Sequence, residues 1–393
     1  MINKVLAVLT RFHRIRPPLE QTQDELIEWL AQAHTQAELS LKMSRSVSEH
    51  ESTLIQMRRL FARFACDSER IGNRGTEVLD ASSADFSKAE IYRIEMPNGD
   101  TRPGSAVQAG PAGAGMFKRT QFFSRAADRV FREFYPAKSP APAHIVHVTC
   151  TGYSSPSAAQ STVDRMGWSS DTAVTHAYHM GCYASIPAIR MAAGLALLEH
   201  KTVDVVHTEM CSLHMNPLNH SPEQIVVYSL FGDGHIKYSV EEPGAPGLEV
   251  LAIKEFIIPG TQDHMSWNTS DSGMQMTLSK DVPGKVGEYL ATFLQSLLGE
   301  SESECRKNAV YAVHPGGPKI IDSTQRLLGL EDWQVAHSKR VLYQYGNMSS
   351  ATLPHIWQAL WEDPEIKDGQ LIVSLAFGPG LTIFGAVLRK VRA

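Results

Sequence analysis

Cys182 stands in "YHMGCYASIP", residues 178–187, between Gly181 and Tyr183, where an apolar, small-residue helical stretch begins. Three chemistries are open to it. Free cysteine is among the most buried residue types, so packing is its commonest role. His176, His179 and Cys182 are spaced three apart and could share one helical face around a metal. No matching ligand pair stands elsewhere at zinc-like spacing. The third role is nucleophile. Gly181 permits a sharp turn, and a thiol at a helix N-terminus faces the positive end of the macrodipole, which favours thiolate. Such a nucleophile needs a base and a place for developing negative charge. His314, in "AVYAVHPGGPKII", ends an apolar strand on a Gly-rich turn, a position suited to a site residue. Asn347, in "YQYGNMSSATLPHIW", follows Gly346 just before a Ser/Ala-rich helix start. Taken alone, a turn or cap role accounts for it.

These residues need elements to hold them. Thr22-x-x-Glu25 has the form of a capping box opening the helix "DELIEWLAQAH". Residues 52–65, "STLIQMRRLFARFA", have helical apolar spacing with basic residues on another face. Residues 96–115 are rich in Gly, Pro and Ala and read as a long loop before the amphipathic helix "RTQFFSRAADRVFREFY". "HIVHVTC", "TVDVVHTEM", "IVVYSLFGDG", "EVLAIKEFII", "AVYAVH", "LIVSLAFGPG" and "LTIFGAVLRKV" read as strands. "CYASIPAIRMAAGLALLEH", "KVGEYLATFLQSLL" and "PKIIDSTQRLLGL" read as helices between them. The alternation predicts a layered α/β protein. A boundary near residue 236 gives two comparable halves, 1–235 and 236–393.

The 393 residues are 43% hydrophobic and 20% charged, an ordinary soluble composition. A net charge of −5 implies no general affinity for nucleic acid or anionic membrane. The opening residues lack a signal-peptide pattern, and no stretch is long and apolar enough to span a bilayer. Five widely spaced cysteines without a CxxC pair argue against a disulfide framework and for a reducing cytoplasm.

In order, "GCYAS", "HPGGPKIID" and "YGNMSSAT" resemble the cysteine, histidine and asparagine motifs of the type III polyketide synthases, the chalcone and stilbene synthase family of the thiolase superfamily. "LFGDG" at 230–234, "KDVPG" at 280–284 and "FGPGLT" at 377–382 also match. The resemblance covers 145–390 well and the first 140 residues loosely. Each motif alone is weak; in this order they are specific. The resemblance implies an α-β-α-β-α fold of five layers built from two similar halves, with Cys182 in the first and His314 and Asn347 in the second. It implies a homodimer that uses acyl thioesters of coenzyme A or of an acyl carrier protein, with no other cofactor and no metal. Cys182 would hold the acyl group. His314 would pair with the thiolate and then, with Asn347, form an oxyanion hole for an enolate that attacks the acyl group and makes a carbon–carbon bond. Gly378 and Gly380 of "FGPG" would make tight turns near the pocket, although a plain strand-to-strand turn explains them equally.

The chain also departs from that family. Phe231 matches a gatekeeper phenylalanine, but the second gatekeeper position falls on Met276. Ser155 falls near the position where a dimer partner's methionine closes the plant enzymes' cavity. Cys211 and His214 replace small threonines there. The expected result is a differently shaped pocket that admits a long or bulky acyl chain. Of the family's Lys-x-x-Arg-x-x-x-Lys grip on coenzyme A, only Arg63 survives, with Leu60 and Asp67 in place of the lysines. Arg58, Arg59, Arg70, Arg74, Lys118, Arg119, Arg125 and Arg129 lie near it in sequence. Such clusters are usually solvated faces. Here they also fit a dock for an acidic acyl carrier protein, with Arg125 and Arg129 in contact. Three active readings follow: an iterative type III synthase on coenzyme A esters, a stand-alone ketosynthase joining carrier-delivered chains into an α-pyrone, and a Cys-His-Asn thioesterase or hydrolase. The last lacks the local cysteine-protease signature.

Overall fold

The structure, a computed structural model, describes residues 4–44, 46–94 and 110–392. Most of the expected 96–115 loop lies outside them. The strands are β1 (Ala7–Ile15), β2 (Leu19–Thr22), β3 (Asn73–Thr76), β4 (His144–Thr149), β5 (Ala173–Tyr178), β6 (Val203–Met210), β7 (Asp233–Glu241), β8 (Gly247–Ile257), β9 (Met265–Ser270), β10 (Gly273–Leu278), β11 (Val310–Val313), β12 (Leu371–Gly378) and β13 (Thr382–Val391). The helices are α1 (Gln23–Lys42), α2 (Val47–Phe64), α3 (Met116–Phe134), α4 (Ala158–Met166), α5 (Ser185–Glu199), α6 (Pro222–Leu230), α7 (Val282–Leu298), α8 (Glu302–Asn308), α9 (Pro318–Leu328), α10 (Asp332–Tyr345) and α11 (Thr352–Glu362).

Local chemistry accounts for most starts and stops. Thr22 caps α1: its hydroxyl accepts from the Glu25 N–H, while the Glu25 carboxylate accepts from the Thr22 N–H at 2.9 Å. The stretch "IVVYSL", expected as strand, is helix α6 instead. Ser221 caps it and Pro222 occupies its first turn, and these start signals outrank the β-preference of Ile225, Val226 and Val227. The strand begins only at Asp233.

Nine strands form one sheet in the order β11-β12-β13-β8-β1-β7-β6-β4-β5. The pairing pattern repeats about its centre. On one side β4 is parallel to β6, β6 is antiparallel to β7, and β7 is antiparallel to β1. On the other side β11 is parallel to β12, β12 is antiparallel to β13, and β13 is antiparallel to β8. β1 and β8 meet antiparallel at the seam. Three apolar cores fit this doubled plan. One joins α1, α3 and α4 to the first-half strands. One surrounds α5 and α11 in the middle. One lies beneath α7, α9 and α10. The helices and strands therefore stack in five alternating layers, as expected. The boundary expected at 235/236 falls inside β7. The repeat divides the chain at the turn between β7 and β8 instead. Among the described residues, no helix is long and apolar enough to cross a membrane.

Candidate functional site

Cys182 lies in the turn between β5 and α5, one turn before the helix starts at Ser185. Gly181 has φ +80°, and a Cβ there would come 2.8 Å from Pro379 Cδ of the "FGPG" turn. Only glycine suits both the backbone and the close approach. Gly181→Ala should therefore cost at least about 1–2 kcal/mol of stability. A drop in the urea midpoint would register the cost; an unchanged midpoint would refute it.

His314 continues β11 past its end. Its N–H donates to the Leu375 carbonyl at 2.7 Å. The ring is completely buried, and neither nitrogen has a partner. Asn347 follows Gly346, whose φ is +68°. Its main chain is tied to the end of α6: the Asn347 N–H donates to Leu230 O and the Gly232 N–H donates to Asn347 O, both at 3.0 Å. The side-chain oxygen accepts from the Ser349 N–H at 2.9 Å and the Thr352 hydroxyl at 3.4 Å. That orients the amide and leaves the Nδ2 donor buried and unpartnered. Orphaned buried polar atoms are rare and costly, so these invite an outside partner.

The Ser349 hydroxyl lies 3.8 Å from the Cys182 sulfur, and the Asn347 side chain is near enough to favour the thiolate. The helix-dipole argument predicts a ready thiolate, but burial pushes this thiol up to about 12. The nearby Ser349 and Asn347 side chains oppose the shift, and the buried Glu209 carboxylate adds to it. Burial pulls His314 down to about 3. Both shifts favour the neutral forms and so work against a standing thiolate–imidazolium pair. Alkylation of Cys182 by iodoacetamide should then rise about tenfold per pH unit from 7 to 9. A plateau in that range would show a thiolate at rest.

One cavity is lined by Cys182, Cys211, His214, Phe231 and Met276, the expected pocket residues. His214 is held by two bonds: Nε2 donates to Thr151 O at 2.8 Å, and Nδ1 accepts from the Met274 N–H at 3.1 Å. Burial keeps this ring neutral, near 3. Gly378 and Gly380 flank Pro379, which reaches the cavity in their place. Ser155 is exposed and does not line it.

The sequence reading missed several lining or supporting groups. The Trp267 indole donates to Cys150 O at 2.6 Å and forms one wall. Ser349 sits between two thiols, with Cys150 Sγ 2.9 Å from its hydroxyl. Glu209 accepts from the Cys150 N–H at 3.1 Å and the Thr151 hydroxyl at 2.9 Å. Glu209 gives no local signal because it stands inside a strand, in "VVHTEM". His176 bonds Ser157 and His179 bonds Tyr153.

The basic residues behave differently from a dock. Arg129 grips the buried Glu77 carboxylate at 2.6 Å and Glu133 at 2.7 Å. Arg125 pairs with Glu90, Arg58 with Glu28 and Arg70 with Asp322. Arg119 is fully buried and donates to Ala114 O at 2.7 Å. Arg63 is exposed over the Phe64 ring. These cations are mostly engaged within the chain, which counts against a carrier-protein surface through Arg125 and Arg129.

Two family models match: the N-terminal domain of chalcone and stilbene synthases over residues 119–240, and their C-terminal domain over 249–392. The gap between them coincides with the turn after β7. A 1,3,6,8-tetrahydroxynaphthalene synthase of Streptomyces coelicolor is 29% identical over 239 residues, 61% of this chain and 64% of that protein. Type III polyketide synthase A of Arabidopsis thaliana is 29% identical over 259 residues, 63% of this chain and 65% of that protein. The chain thus spans just under two thirds of these relatives. Among solved structures, the C-terminal type III polyketide synthase domain of "Steely1" from Dictyostelium superposes with a TM-score of 0.76. It is 22% identical and covers 98% of this chain and 99% of that one, so it attests the fold.

Proposed function

Because this chain belongs to the chalcone and stilbene synthase family, we propose that it is a type III polyketide synthase, a condensing acyltransferase that makes carbon–carbon bonds on a cysteine-bound acyl group. The observation that carries the reading is the pair of orphaned buried groups, the His314 ring and Asn347 Nδ2, in the chain that also buries Cys182 in a cavity.

In this reading a coenzyme A thioester is the donor. As its carbonyl meets Cys182, the thiol proton passes to a free nitrogen of His314 and the sulfur bonds the acyl carbon. Free coenzyme A leaves with a proton. A malonyl-type thioester then binds with its carbonyl oxygen between His314 and Asn347 Nδ2. It loses carbon dioxide, and the two donors hold the enolate oxygen. The enolate carbon attacks the acyl carbon, expels the Cys182 sulfur and leaves a β-keto thioester. The hydrolase reading has no observation in its favour. Incubation with acyl and malonyl coenzyme A should give carbon dioxide and a lengthened ketide; simple hydrolysis to free acid would reject the proposal.

Met276 replaces an aromatic at the cavity wall, where its carbonyl accepts from Gln224 Nε2 at 2.6 Å. Its flexible side chain fills irregular space. Met276→Phe should shorten the longest acyl donor accepted, read by intact mass across a chain-length series. An unchanged limit would remove Met276 from the pocket's control. We also propose that two copies pair, with the exposed Ser155 loop toward the partner. A monomer in light scattering would exclude that.

A further inference from the structure

Arg74 is 1% exposed and lines the same cavity as Cys182. Its Nη1 donates to the carbonyls of Tyr228 and Phe231, both at 2.7 Å. Its Nε and Nη2 are buried with no partner in the protein. The side chain is pinned: a Cβ on Gly346 would come 2.9 Å from Arg74 Cδ. Asp233 is close enough to act on it electrostatically, but that carboxylate already accepts from the Glu77 N–H at 2.6 Å and the Ser212 N–H at 2.8 Å. The neighbouring walls are apolar, including Leu26, Leu30, Val78 and Val227. Burial pulls the guanidinium down to about 9, so it remains charged at neutral pH. A buried cation with spare donors among apolar walls is costly until an acceptor arrives.

We propose that Arg74 receives a carboxylate at the far end of the acyl group whose thioester carbonyl meets Cys182. The preferred donors are then coenzyme A mono-thioesters of dicarboxylic acids. The thioester end of this inference rests on the condensing reading above; the carboxylate end rests on Arg74 alone. A carboxylate satisfies the spare N–H groups and the charge together, whereas a methyl end leaves both unmet.

The test compares acylation rates of Cys182 by intact mass. Succinyl-, glutaryl-, adipoyl- and pimeloyl-CoA are set against butyryl-, pentanoyl-, hexanoyl- and heptanoyl-CoA. At one length or more, the carboxylate-ended donor should react at least about tenfold faster than its methyl-ended counterpart, as a charged hydrogen bond away from water provides. Arg74→Met should bring that ratio to one or below, and Arg74→Lys should restore part of it. Arg74 also holds two carbonyls, so thermal melting accompanies the variants, and the wild-type ratio tests the proposal without them. Methyl-ended donors that are equal or faster at every length would overturn the carboxylate site and leave the condensing reading standing. A ratio unchanged in Arg74→Met would overturn it too. Failure of both series to label Cys182 would bring down both readings.

Discussion

Cys182→Ala abolishes the mass increase that acyl-CoA leaves on the protein. This is the largest effect expected, because the proposed chemistry passes through one sulfur. The control is built into the cavity. Cys150 and Cys211 line it as well, and burial and the nearby Glu209 carboxylate hold both thiols well above the ordinary range. Neither has an unpartnered imidazole proposed as its base. Peptide mapping should place the acyl group on Cys182 alone. Label persisting in Cys182→Ala, or mapping to Cys150 or Cys211, would move the nucleophile.

Asn347→Ala and His314→Ala should each slow malonyl decarboxylation by about 10²–10³, the usual cost of losing one oxyanion donor. The two variants should part company in the acylation half-reaction. His314 is assigned the thiol proton, and with the thiol held near 12 little thiolate forms without a base. His314→Ala should therefore slow acylation too, and slow it less as pH rises. Asn347 is assigned the enolate and no proton of the thiol, so its loss should leave most of the acylation rate. Stopped reactions with acyl-CoA alone, and with malonyl-CoA alone, separate the two. Equal losses in both half-reactions for both variants would contradict the division of labour.

The sequence makes Cys182, His314 and Asn347 legible as candidates because each sits in a short motif with its own turn. Gly181, the Pro315–Gly317 turn and Gly346 are visible without any tertiary knowledge. The layered fold was legible for a similar reason, since apolar strands alternate with helices. The electrostatics of Cys182 were not. A helix dipole is a local argument, while the desolvation that outweighs it depends on everything packed around the sulfur. Helix α6 reads as a strand because its Val-rich interior outweighs the short start signal of Ser221-Pro222. Arg74 and Trp267 were hidden for another reason. Each is an ordinary residue in its own segment, and only the fold brings it to the cavity wall. Arg129 shows the converse: it reads as free charge in sequence and is engaged by Glu77 in space.

The place of β1 in the sheet has a consequence for how the chain acquires its shape. Val8 pairs with Glu241 on one side and with Glu249 on the other. The first of the described strands to be synthesised thus waits for two of the strands in the middle of the chain. Until β7 and β8 emerge, its apolar residues Ala7, Val8 and Leu9, fully buried in the end, have no strand to pair with. Pairings this distant in sequence slow folding, and a waiting unpaired strand is an aggregation hazard. Once both arrive, a single nine-residue strand stitches the two halves of the sheet together. A ribosome-bound chain stalled before β8 should remain protease-sensitive at its N-terminus, and one stalled well beyond it should not.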